Sequence, residues 1–388
     1  MTDIYGARGR HIQLPNRSRF PVVIALLAWS ALAFPSFMII RMGNQLVFPH
    51  YVAIALAAPI LLLAQWRMVI YPILPVLFFI FLSSLLNIDS ADVWVATFHS
   101  LHLLAIALLA STPGRIALPF AKFVVIAYCI TIILSQVLIF FGLQSLIEWM
   151  LVHNEKLVTT RVSAFATEPS YAAIIILVSV RFIIVIDQKW LNVPRLSFII
   201  TSLLATLSLF AVLSAMLLLM MYLVRRGRIR EVIGVFIGGA VLLIGISFTD
   251  FFAQRLAQID MSQGARGLGS GTIRLLPYLY IQQILPGNFW PLLVGAGAGT
   301  LEPAFYMAVG QYVTDSHYLT AHMAGPIYDY GIPAILPILF LWNRPTGLVD
   351  RILYITMTLL VMLNTGIGTY LFVFFGAFAL LEQRMRAG

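Results

Sequence analysis

The chain has 388 residues, of which 61% are hydrophobic and only 10% carry a charged side chain. Soluble globular domains carry about 25% charged residues, so this composition excludes a water-soluble fold and predicts a protein surrounded by lipid. The formal net charge of +9 does not indicate nucleic-acid binding, because the arginines punctuate apolar runs instead of forming one patch. It indicates orientation in a membrane.

The first apolar run starts near Phe20 and is about 20 residues long, which predicts a transmembrane helix and not a cleaved signal peptide. The single cysteine, Cys129, lies within a later apolar run. With no second cysteine it can form no disulfide within the chain. We expect it to be a small core or lipid-facing residue.

Apolar runs predict an all-α polytopic membrane domain over residues 1–388, with about twelve transmembrane helices. The predicted spans are 20–40, 46–64, 68–86, 92–111, 116–141, 171–186, two within 195–224, 231–248, 318–342, 352–363 and 366–381. Two short helices are assigned to 195–224, with a break near Ser214, because one crossing would place the basic block 225–230 outside. With the N-terminus inside, sixteen lysines and arginines fall in inner loops and six in outer loops. This asymmetry predicts that both termini are cytoplasmic.

The first of two long outer segments, 142–170, ends in Arg161-Val-Ser-Ala-Phe-Ala-Thr-Glu168-Pro169-Ser170, and Tyr171 follows. Proline suits the first turn of a helix, so Glu168 is expected beside the positive end of the next helix. Arginine is a bidentate partner of phosphate and pyrophosphate, which makes Arg161 a candidate ligand for either group. The alternative is that Glu168 merely caps the helix and Arg161 anchors it at the interface.

The second outer segment, 249–317, is larger and carries Arg255, Arg266 and Arg274 among glycines. These guanidinium groups are candidate ligands for an anionic substrate, and the alternative is that each reaches toward lipid phosphates. The run Gly295-Ala-Gly297-Ala-Gly299 lacks the strand–helix unit of a dinucleotide site. It predicts a tight turn or close helix packing.

Asp315, His317 and His322 surround the predicted outer mouth of the tenth span. His317 is placed to meet an aqueous substrate and can accept a proton near neutral pH. A metal pair of His317 and His322 is disfavoured, because their spacing is five residues and no third ligand is evident. Asp329, deeper in the same span, is expected to face the bundle interior or a cavity.

Four further ionisable residues lie in or near predicted spans. Such groups are costly in lipid and mark functional sites by default. Lys122 and Arg181 lie close enough to the inner face for their long side chains to extend to the membrane surface. We favour this interpretation for both residues. His99 and His102, three residues apart, are a weaker candidate for a proton relay.

The ordered motifs from Arg161 to Pro333 resemble the Wzy-type O-antigen and exopolysaccharide repeat-unit polymerases, members of the O-antigen polymerase and ligase superfamily. The shared features are Arg161-x6-Glu168-Pro169-Ser170 before a helix, the serine-marked break, the basic inner loop, Arg274 ahead of Trp290, the Gly-x-Gly-x-Gly run, a histidine heading a helix, and Tyr330-Gly331-Ile332. Two positions depart from the family. It often has glycine where Ala164 stands, and asparagine where Tyr318 follows His317.

The resemblance implies a GT-C-like glycosyltransferase that needs neither metal nor cofactor and acts at the periplasmic face of the bacterial inner membrane. Its substrate would be an undecaprenyl-pyrophosphate-linked oligosaccharide. Its other partners would be membrane lipids, and a chain-length regulator and a flippase are candidate protein partners. No nucleic-acid partner is implied. Arg161 and Arg274 would stabilise the leaving pyrophosphate, and His317 or Glu168 would be the base. The implied substrate-binding residues are Arg255, Arg266, Tyr171, Asp315 and His322.

Two alternatives remain open. An O-antigen ligase performs the same chemistry with lipid A core as the acceptor, although the Glu-Pro-Ser sequence resembles polymerases more closely. A secondary transporter belongs to another class and predicts internal repeats and ionisable residues at mid-membrane. No internal repeat is visible in the sequence.

Overall fold

A computed structural model describes residues 20–35, 40–42, 45–47, 71–147, 162–166, 168–206, 208–247, 278, 281, 290–301, 303–304, 323–342 and 347–387. Almost all regular structure in these residues is helical. The exception is a short antiparallel pair, β1 (Ile40–Met42) and β2 (Gln45–Val47), in which Arg41 lies opposite Leu46. The prediction of a mainly helical chain is therefore confirmed, with one short two-stranded hairpin that the sequence did not predict.

The helices follow one another through short connections over most of the described chain. They are α1 (Phe20–Ala33), α2 (Leu74–Leu86), α3 (Val93–Ala110), α4 (Gly114–Phe140), α5 (Pro169–Ile186), α6 (Val193–Ala205), α7 (Leu209–Arg225), α8 (Ile229–Ser247), α9 (Trp290–Val294), α10 (Ala324–Tyr330), α11 (Leu336–Phe340), α12 (Leu348–Met362) and α13 (Tyr370–Ala387).

Three helices of the described part, α3, α4 and α5, are long and apolar enough to cross a membrane. Their bounds lie within two residues of the predicted spans 92–111, 116–141 and 171–186. Asp92 caps α3 by accepting the backbone N–H groups of Trp94 at 2.8 Å and Val95 at 3.3 Å, which fixes its start. The helical, membrane-compatible character predicted from composition is confirmed.

Two predicted spans end earlier or break where the chain holds proline or glycine. The first span was predicted over 20–40, but α1 ends at Ala33 just before Phe34-Pro35, and Ile40 lies in β1. The described part of span 318–342 is not one helix. Gly331 has a φ of +80°, and a 3-10 turn at Ile332–Ala334 separates α10 from α11.

The stretch 195–224 is divided into two helices as predicted, but the break lies elsewhere. Helix α6 ends at Ala205 and α7 begins after Ser208, whose backbone is extended at φ −109° and ψ 131°. Ser214 lies buried inside α7. A serine side chain is tolerated within a helix, so its presence alone did not locate the break.

Helix α5 forms the centre of the bundle. Its side chains from Ala172 to Ile184 are buried, and it contacts α4, α7 and α13. By contrast, α4 buries one face that includes Cys129 and exposes Phe123 and Ile130 on the other. A helix that exposes large apolar side chains in this way is suited to contact with lipid.

A buried group of five charged residues, here called the ionic cluster, joins α5, α7, α12 and α13 at one end of the bundle. Arg181 contacts Asp350 at 2.6 Å and Glu382 at 3.4 Å, and its side chain is 2% exposed. Arg225 contacts Asp350 at 3.2 Å, and Arg386 contacts both acids. The prediction that Arg181 reaches toward the membrane surface is wrong, because two carboxylates hold it inside the bundle.

Lys122 is more exposed than Arg181 and lies at the end of the bundle where α5 ends. Its ammonium group lies 2.6 Å from a carboxylate oxygen of Asp187, and both side chains are partly exposed at 24% and 32%. Lys122 is therefore paired with a carboxylate at the end of α5, which is close to the surface position predicted for it.

Replacement of Asp350 by asparagine should lower the free energy of unfolding by about 3–5 kcal/mol, because it leaves the buried Arg181 undercompensated. The matched variant Asp187→Asn removes the same charge from a partly exposed pair and should cost at most about 1 kcal/mol. Denaturant unfolding of the detergent-solubilised protein measures both. Equal losses in the two variants would contradict the account of the ionic cluster.

Candidate functional site

Two predicted site residues, Glu168 and Tyr171, lie in the described part of the chain, at the start of α5. The other seven lie outside the described residues: Arg161, Arg255, Arg266, Arg274, Asp315, His317 and His322. The described part of the predicted site is therefore the surroundings of Glu168 and Tyr171. That the arginines and histidines lie around these two residues remains a prediction.

Glu168 occupies the N-cap position of α5, with an extended backbone at φ −142° and ψ 152° and Pro169 in the first turn. Its carbonyl oxygen accepts the first helical hydrogen bonds, from Tyr171 at 3.0 Å and Ala172 at 3.1 Å. Its carboxylate makes no capping bond to the helix and instead accepts the hydroxyl of Ser170 at 3.2 Å. This geometry argues against capping as the purpose of the carboxylate.

The turn before Glu168, residues 162–166, is packed into the bundle. Val162, Ala164 and Ala166 are buried, and the Phe165 ring lies 5.4 Å from Tyr128. Ala164 has a φ of +51°, the left-handed conformation that glycine adopts most easily. A buried, conformationally restricted turn thus leads directly into the candidate carboxylate.

Tyr171 lies beside Tyr370, the first residue of α13, with ring centroids 6.3 Å apart and the rings edge to face. The Tyr278 hydroxyl, which belongs to the second long segment, donates to the carbonyl oxygen of Met362 at 3.3 Å, at the end of α12. One end of the bundle therefore contains the starts of α5 and α13 and the C-terminal end of α12. It is here called the Glu168 end.

The Glu168 end and the ionic cluster lie at opposite ends of the same helices. Along α5, Arg181 follows Glu168 by thirteen residues, which corresponds to a rise of about 20 Å. Along α13, Glu382 follows Tyr370 by twelve residues, a rise of about 18 Å. The Glu168 end and the ionic cluster are thus separated by most of the length of these helices.

The glycine run forms a loop, Gly295–Leu301, that packs between α10 and the turn joining α2 to α3. The prediction of a tight turn with close packing is confirmed. Gly295 has a φ of +83°, and a Cβ there would collide with the carbonyl oxygen of Asp329 and the hydroxyl of Ser83. The loop reaches α3 through the N–H of Asp92, which donates to the Ala298 carbonyl at 2.8 Å.

Asp329 is buried, at 3% exposure, as predicted, and its carboxylate accepts three hydrogen bonds from this loop. One oxygen accepts the N–H of Gly299 at 2.9 Å. The other accepts the N–H of Leu301 at 3.1 Å and the Thr300 hydroxyl at 3.3 Å. Consecutive donors of this kind form an anion-binding concavity, which a carboxylate of the protein itself fills here.

The two histidines proposed as a weak relay bind different partners. Nδ1 of His99 lies 2.7 Å from the Tyr330 hydroxyl, while Nδ1 of His102 lies 2.8 Å from the Phe98 carbonyl oxygen. His99 thus joins α3 to α10 beside Asp329. The sequence suggested that Asp329 faces inward, but its contact with the glycine loop was missed, since nothing local links residues about thirty positions apart.

In the part of the chain that the structure describes, no group of three or more histidine, cysteine, aspartate or glutamate side chains is arranged to hold a metal ion. Comparison of the chain with protein-family models, curated proteins and solved structures finds no match.

Replacement of Ala164 by glycine should be less costly than replacement of Ala166, by about 1–2 kcal/mol. Both substitutions delete one buried methyl group from the same turn, but only Ala164 has a positive φ. Denaturant unfolding of the two variants measures the difference. A larger loss in Ala164→Gly than in Ala166→Gly would contradict the strain assigned to the turn.

Proposed function

We propose that this protein is an integral-membrane glycosyltransferase that polymerises undecaprenyl-pyrophosphate-linked oligosaccharide repeat units into O-antigen or exopolysaccharide. The observation that carries the proposal is the Glu168 end. Its half-buried carboxylate makes no capping bond to α5 and belongs to the residue that starts this helix, shortly after the buried turn 162–166 that follows Arg161 in the sequence. This is the arrangement expected if Arg161 and Glu168 meet substrate together.

The conformation of Ala164 supports the resemblance on which the proposal draws. The Wzy-type polymerases often have glycine at the equivalent position, and here that position has a φ of +51°. Glycine adopts this conformation without strain, whereas alanine is strained by it. The departure of this chain from the family pattern therefore preserves the backbone shape that the pattern favours.

The proposed reaction is a displacement at the anomeric carbon of the lipid-linked donor. A hydroxyl of the acceptor repeat forms the new glycosidic bond, the bond from the anomeric carbon to the pyrophosphate breaks, and undecaprenyl pyrophosphate leaves. Arg161 and Arg274 stabilise the charge that develops on the leaving group. His317 takes the acceptor proton, or Glu168 does so in its place.

The remaining predicted residues bind the substrates. Arg255 and Arg266 assist in holding the pyrophosphate, and Tyr171, Asp315 and His322 contact the sugars or the lipid headgroup. Tyr171 is well placed for this, because it is half-buried beside Tyr370 in the first turn of α5. An aromatic side chain with a polar tip suits a site between lipid and water.

The proposal assigns the Glu168 end to the periplasm and the ionic cluster to the cytoplasm of the bacterial inner membrane. The excess of basic residues on the cluster's side supports this orientation, because lysine and arginine favour the cytoplasmic side. Both termini are then cytoplasmic, and the chain crosses the membrane about twelve times in a GT-C-like arrangement.

The transporter alternative is less well supported by the sequence. Many secondary transporters are built from internal repeats, and none is visible in this sequence. The buried pairing of Arg181 with Asp350 and Glu382 is compatible with either class of protein. The ligase alternative shares the whole site and differs only in its acceptor.

In cells that depend on this protein for polymer synthesis, Arg161→Ala and Arg274→Ala should each abolish long-chain polymer at normal protein level. The expected loss reflects missing transition-state stabilisation, about 100- to 1,000-fold for removal of one such group. Arg226→Ala is the matched control, because Arg226 is exposed and lies near the ionic cluster. Electrophoresis of extracted polysaccharide measures chain length. Normal polymer from either site variant would remove that arginine from the site.

Chelators should leave the turnover of the purified protein unchanged, because a lipid pyrophosphate is already a good leaving group and fixed arginines supply the positive charge. Product formation from the lipid-linked repeat with and without chelator measures this. Loss of activity that added metal restores would contradict the metal-independent mechanism and would revive the pairing of His317 with His322.

A further inference from the structure

The loop Gly295–Leu301 is fixed on both sides by hydrogen bonds. On one side, Ser83 donates its hydroxyl to the carbonyl oxygen of Asp329 at 2.5 Å and accepts the N–H of Gly297 at 3.2 Å. On the other, Asp92 donates its N–H to Ala298. The chain is thereby held against α2, α3 and α10 at once.

Asp329 is the residue on which these contacts converge. Its carboxylate receives the three donors from Gly299, Thr300 and Leu301, while its carbonyl oxygen accepts the N–H of Gly297 at 3.0 Å. Both the side chain and the backbone of one residue therefore bind one loop. Such a carboxyl group fixes the loop conformation, because an alternative conformation would leave its buried oxygens without hydrogen-bond donors.

The loop lies between Arg274 and His317 in the chain, the two residues of the second segment to which the proposed function assigns catalytic roles. Both residues are joined to this fixed loop through the chain. Holding catalytic groups in a productive geometry contributes strongly to rate, and a displacement of about 1 Å can cost about 100-fold.

We propose that Asp329 is a positioning residue for the proposed reaction, and that it acts by anchoring the Gly295–Leu301 loop of the second outer segment, the segment to which Arg274 and His317 also belong. The inference rests on the proposed function. Asp329 touches no reacting atom in this account and acts only through the loop. Its contribution therefore appears in turnover and in the protection of the loop from hydrogen exchange.

The decisive variant is Asp329→Asn. Asparagine keeps the size of the side chain but offers one acceptor oxygen in place of two and adds a donor that faces N–H groups. In the purified full-length protein, kcat with a lipid-linked repeat unit should fall by about 10- to 100-fold. Hydrogen–deuterium exchange over residues 295–301 should become faster.

Asp187→Asn is the control, because it makes the same substitution in the partly exposed pair with Lys122, far from this loop. It should keep both kcat and the exchange rate of the loop. An Asp329→Asn protein that keeps kcat within about twofold while its loop exchanges faster would overturn the positioning role. Unchanged exchange in that variant would overturn the anchor itself.

If Asp329→Asn does not fold, two variants of Thr300 test the positioning role instead. Thr300→Val removes the hydroxyl that donates to Asp329, and Thr300→Ser keeps it. The valine variant should lose kcat and the serine variant should retain it, whereas equal activity of the two would overturn the proposal. Absence of turnover by the unsubstituted protein would contradict the proposed function and, with it, the positioning role. The hydrogen-exchange result would still test whether Asp329 anchors the loop.

Discussion

The compensation of Arg181 by Asp350 and Glu382 is the interaction on which the arrangement of the bundle depends. A guanidinium group cannot remain buried in an apolar bundle unless carboxylates accompany it, so α5, α12 and α13 are obliged to meet at one end. Arg225 brings α7 to the same point. The charges needed to join the helices are thereby concentrated far from the end that carries Glu168.

This separation leaves the Glu168 end to be built mainly from hydrogen bonds and aromatic contacts. Here the turn at Ala164 is buried, the ring of Tyr171 contacts that of Tyr370, and Asp329 accepts N–H and O–H donors from its loop. In the proposed function, the positive charge that a diphosphate substrate requires comes from arginines of the long segments 142–170 and 249–317.

The sequence was most informative where apolar runs are bounded by strong local signals. The spans that correspond to α3, α4 and α5 were predicted within two residues. Asp92 marks a helix start because its carboxylate accepts backbone N–H groups, and Pro169 does so because proline suits the first turn. Predictions failed where distant partners decide the outcome. Arg181 was assigned to the membrane surface because its partners lie more than 160 residues away, and the contact of Asp329 with the glycine loop was equally invisible. Most of the predicted site lies outside the described residues, so its assembly remains a prediction.

The most direct measurement supplies the purified protein, in detergent or vesicles, with one undecaprenyl-pyrophosphate-linked repeat unit and separates the products by size. The account predicts a ladder whose steps differ by one repeat unit, with release of undecaprenyl pyrophosphate at each step. Retention of the substrate as a single unextended species by folded protein would contradict the account. Transfer of a single unit to lipid A core, with no ladder, would instead identify the ligase reaction.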